Sequence, residues 1–88
     1  MRRMMTARIR HAMRLHGFRL ERLGGNVTGF VRDVPGGSIV VQGAGTGAAP
    51  ARVSQKVCAY WLGHEHGEPL RELCGNLDAV LRIAGEGR

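Results

Sequence analysis

The side chains with the most chemistry to offer are seven arginines, Arg2, Arg3, Arg8, Arg10, Arg14, Arg19 and Arg22, set against the single acid Glu21 at the front of an 88-residue chain. A guanidinium stays charged at physiological pH and presents its donors in a planar fork, so a row of them suits phosphate oxygens. From Leu23 onward basic and acidic residues balance, and the formal net charge of +6 therefore belongs to the opening segment. Charge gathered in this way marks a surface that an anionic partner can find, each phosphate contact releasing a condensed counterion. Arg3, Arg10 and Arg14 fall on one helical stripe, with Arg8, Arg19 and Arg22 placed to assist. These six are the candidate contacts to an RNA or DNA backbone, made without reading base sequence. The plainer interpretation is a solvated face that keeps a small protein dispersed. Phe18 is the one aromatic residue of the segment, fewer than single-strand binders use for base stacking.

A second group could hold a metal. His64, Glu65 and His66, with Cys58 before them and Cys74 after, supply donor atoms of the kind zinc takes. In an extended segment His64 and His66 share a side about 7 Å apart. Their spacing is not that of a metalloprotease helix, and no Cys-x-x-Cys pair is present. The stretch is expected to be a polar turn, with His64 and His66 the only metal candidates and no cofactor. Gly43-Ala44-Gly45-Thr46-Gly47 has the look of a phosphate loop, but no Gly-Lys-Ser/Thr follows and Pro50 argues against a helix there. Ser38, Ser54, Thr6, Thr28 and Thr46 lie in no nucleophile-elbow context. Catalytic residues are therefore expected to be none, and a binding module is favoured over an enzyme.

The elements that must position these groups are legible in the hydrophobic spacing. Met5, Ile9, Ala12, Met13 and His16 stripe one face of a helix over about residues 6–16, capped by Thr6 and ended by Gly17, with His16 packed against the sheet. Phe18 to Glu21 alternates as a strand, Gly24-Gly25-Asn26 turns, Val27 to Val34 returns, and Pro35-Gly36-Gly37 turns again. Ser38 to Gln42 and Val57 to Leu62 supply two further strands. Residues 69–74 are open between helix and strand: a long helix could begin at Pro69, or Gly75-Asn76 could break the chain before a shorter helix. The shorter one, Leu77 to Ala84, capped by Asn76 and ended by Gly85, is preferred. The expected fold is thus α+β: an antiparallel sheet of three to four strands with an N-terminal and a C-terminal helix packed on one face. The whole chain, 1–88, is expected to make a single domain, with a disordered start over 1–5 and a mobile loop over 43–52.

The order basic helix, Gly17-Phe18, strand, Gly24-Gly25, strand, Pro35-Gly36-Gly37, strand resembles the HicA-type toxins, small mRNA-cleaving proteins with a fold like that of double-stranded-RNA-binding domains. The resemblance covers residues 7–42. It implies an αβββα arrangement and affinity for RNA. The family's catalytic histidine follows the first hairpin turn, where this chain has Asn26 and Val27, so the resemblance does not carry cleavage across.

Composition bounds the remaining possibilities. At 43% apolar the chain can bury a core, but with four aromatic residues that core rests on Val, Leu, Ile and Met. Pairing with a second copy, or with another protein, through an open sheet face or edge is the rival functional class. Arg8, Arg10 and Arg14 interrupt every apolar run that could serve as a secretion signal, and no stretch approaches a membrane span. A cytoplasmic protein without a membrane partner is expected. In that compartment Cys58 and Cys74 would be free thiols, Cys58 packed in the core.

Overall fold

The computed structural model describes residues 4–65 and 68–86. Within them the order is α1 (Ala7–Leu15), β1 (Arg19–Gly24), β2 (Val27–Val34), β3 (Gly37–Gly43), β4 (Val57–Gly63), β5 (Arg71–Gly75) and α2 (Leu77–Ala84). All neighbouring strands pair antiparallel in the order β1-β2-β3-β4-β5, a meander in which each strand lies beside its predecessor. The α+β expectation holds with one correction: the sheet has five strands, not three to four. The added strand is β5. It carries a single inward apolar residue, Leu73, so alternation gave it little signal, whereas pairing of Trp61 with Arg71 and of Cys58 with Cys74 fixes it in place. The Arg71 guanidinium lies 4.7 Å from the Trp61 ring centroid, a cation–π contact across that pair.

Both helices begin on a side-chain cap. Thr6 Oγ1 accepts from the Ile9 amide at 3.4 Å, and Asn76 Oδ1 accepts from the Ala79 amide at 3.0 Å. Ile9 and Met13 of α1 and Leu77, Val80, Leu81 and Ala84 of α2 join Phe18, Phe30, Ile39, Val41, Val57 and Ala59 in one buried cluster. Because strand side chains alternate, these residues define one sheet face, and both helices lie on it. The opposite face presents Val31, Val40, Cys58, Tyr60 and Leu62. Cys58 and Cys74 are joined across β4 and β5 as a disulfide, which corrects the expectation of free thiols. Opposed positions on adjacent antiparallel strands bring two Cα atoms close, here 4.0 Å, so the bond follows from register once β5 exists.

The connection from β3 to β4 contains no regular element but is well tied. Thr28 Oγ1 accepts from the Ala49 amide at 2.8 Å, Ala51 O accepts from the Thr6 amide at 2.9 Å, and Pro50 is buried. No helix follows Gly47, so the phosphate-loop geometry is not built here.

The two helices end at the same side chain. Arg32, from the helix-covered face of β2, donates to the carbonyl oxygens of Ala84 at 2.9 Å and Glu86 at 2.6 Å, and its stem passes Gly17 at the end of α1. Helix C-termini expose unpaired carbonyls and partial negative charge, which a guanidinium offsets. Arg32→Met is expected to lower stability by about 1–2 kcal/mol, read as an earlier urea midpoint at unchanged slope. His16 also belongs to this junction. Its Nδ1 lies 2.9 Å from Ala12 O and its ring rests against Gly85 of the α2 terminus, where a Cβ would have no room. It therefore packs on α2, where packing on the sheet was expected.

Candidate nucleic-acid interface

Helix α1 divides its arginines between two flanks. Arg10 and Arg14, four residues apart and so stacked along the helix, line a groove with Phe18, Leu20 and Phe30, bordered by Arg19. Phe18 and Phe30 are buried and form the floor, while Leu20 is 51% exposed on the β1 wall. Arg22 is exposed on the same side of β1 as Leu20, opposite Thr28, and extends that wall. Arg8 points elsewhere. It borders a separate groove with His11, Ala12, Leu15, Val53 and Asp78 between the two helices. At about 100° per residue, positions 8 and 10 sit on opposite flanks of a helix whose buried face carries Ile9, so this separation was readable from the numbering.

Arg19 is the other departure. Its guanidinium reaches Asp33 at 3.2 and 3.4 Å and also pairs with Glu21, both on the sheet face away from the helices. Asp33 first, then Glu21, hold its pKa above the ordinary guanidinium range. A cation engaged by two carboxylates offers little to a phosphate. Among the described residues Arg8, Arg10, Arg14 and Arg22 form no salt bridge. Arg3 lies outside the described residues, as do residues 1–3 of the expected disordered start. Of the six candidates, three are therefore brought to one side: Arg10, Arg14 and Arg22.

The apolar floor was not visible as a site beforehand. Phe18, Leu20 and Phe30 read simply as strand and core positions, and only the packing of α1 beside the β1 edge turns them into a groove wall. The first turn of α1 contains no acid, and Arg14 stands in its last turn, where it faces the negative end of the helix dipole.

Of the suggested zinc set, Cys58 and His64 stand apart. His64 follows the end of β4 while Cys58 lies near its start, a separation of roughly 20 Å along an extended strand. His66 lies outside the described residues. No described helix is long and apolar enough to cross a membrane. Comparison with protein-family models, curated proteins and solved structures finds no match to this chain.

Proposed function

We propose that this chain is a non-catalytic binding module that holds a nucleic-acid backbone against the α1–β1 groove through Arg10, Arg14 and Arg22. The observation that carries this reading is three exposed guanidinium groups with no carboxylate partner among the described residues, on one side, next to a neighbouring arginine that has two. Protein–phosphate contacts of this kind position a backbone and carry no base specificity. Phe18 and Phe30 are buried, so the groove gives bases no aromatic surface to stack on. The weak likeness to HicA-type toxins agrees with RNA as the polyanion, and the absence of a histidine at Asn26 and Val27 agrees with binding without cleavage.

Fluorescence titration with labelled RNA and DNA duplexes of mixed sequence tests it. Three engaged phosphates give a log–log salt slope of roughly −2.7, about a forty-fold loss of affinity between 50 and 200 mM salt. Absence of binding at the lower salt, or a slope near zero, would refute the reading.

A second interpretation rests on the sheet face that the helices leave open. Tyr60 and Leu62, half-buried there beside the buried Val31 and Val40, support pairing with a second copy of the chain. Sedimentation at high protein concentration decides it, a dimer supporting this reading and a monomer removing it.

A further inference from the structure

We propose that the reduced form of this chain binds one divalent cation of the zinc and cadmium class through the Cys58 and Cys74 thiolates and the Glu72 carboxylate. Cys58 and Cys74 face each other across β4 and β5 on the side of the sheet without helices. Glu72 stands two positions before Cys74 on the same strand and so on the same face. Its Oε2 is 3.5 Å from Cys74 Sγ, and the three candidate ligand atoms all lie within 4.8 Å of one another. Bonds of about 2.3 Å to sulfur and 2.0–2.2 Å to oxygen place two ligands of one tetrahedral ion about 3.5 Å apart, so the carboxylate already stands at the right range.

A phosphine or dithiol reductant supplies two electrons, and with two protons from water the disulfide becomes two thiols. Side-chain rotation then separates the sulfurs without moving the strands. Each thiol releases its proton on binding the metal, leaving two thiolates and one carboxylate around the ion and a fourth position for water. Two soft sulfurs with one hard oxygen select zinc and cadmium over magnesium or calcium. Cys74 and Glu72 are exposed, which gives the ion a path in, while Cys58 is buried beneath them. The oxidised chain has no thiolate to offer.

Cadmium alone is the probe, added to the full chain with and without a phosphine reductant and followed by the sulfur-to-cadmium absorption band. One equivalent bound with that band in the reduced chain, none in the oxidised chain, and at least tenfold weaker binding by Glu72→Gln are expected. Glu72 is on the surface, so its replacement tests the site without breaking the core. An unfolded dithiol would bind cadmium without regard to Glu72. Equal affinity in Glu72→Gln, cadmium bound without the sulfur band, or the same binding by the oxidised chain would each overturn the proposal.

Discussion

Gly37→Ala is expected to lower unfolding stability by about 3 kcal/mol, the largest loss among substitutions that add one methyl group. Gly37 pairs with Gly63 where β3 meets β4. A Cβ at Gly37 would overlap the Leu62 carbonyl oxygen and stand 2.9 Å from its carbon and 3.0 Å from Gly63 Cα. These are backbone atoms of two interior strands of a five-strand meander, so relief requires parting the strands. For a domain of this length total stability is on the order of 4–13 kcal/mol, and the loss shows directly as an earlier urea midpoint. The adjacent Gly36 supplies the comparison. It sits at φ +86° with open space around it, so Gly36→Ala pays only the left-handed backbone cost of about 1 kcal/mol. Equal effects of the two substitutions would show that the strand contact yields more readily than its geometry implies.

The second large effect is on binding. Arg10→Ala with Arg14→Ala removes two of three groove cations and is expected to weaken duplex binding about thirty-fold at low salt, with the salt slope falling by about two. Both side chains are exposed, so folding should be unchanged and circular dichroism checks it. Arg8→Ala removes an equal charge from the other flank of α1 and should change affinity by less than about twofold, apart from its long-range field. This contrast separates a site from net charge. If all three arginines count alike, the surface acts as a diffuse cloud and the groove has no role.

How far the sequence reaches is set by which forces act locally. Thr6 and Asn76 were readable as caps because a helix start needs a side-chain acceptor at a fixed offset. The span of β2 was readable because turn residues bound it on both sides. Strand β5 stayed open between helix and strand, because a five-residue edge strand with one inward apolar residue owes its place to partners on β4. The disulfide inherits that limit, since Cys58 and Cys74 oppose each other only once β5 is paired. At the groove, Arg10 and Arg14 were legible from their four-residue spacing. The engagement of Arg19 by Asp33 depends on hairpin register, which places them diagonally on adjacent strands. The expectation of free thiols followed from the cytoplasmic compartment expected of the chain, and the bonded pair departs from it.

The most direct test is to map the bound surface by NMR, following backbone amides and arginine Nε–H groups of the full chain as an unlabelled RNA duplex is added at low salt. The expected result is shifts concentrated at Arg10, Arg14, Leu20 and Arg22, with Tyr60 and Leu62 on the far side of the sheet unmoved. Shifts centred on that far side, or on Arg8 and Asp78 between the helices, would contradict the assignment of the polyanion to the α1–β1 groove.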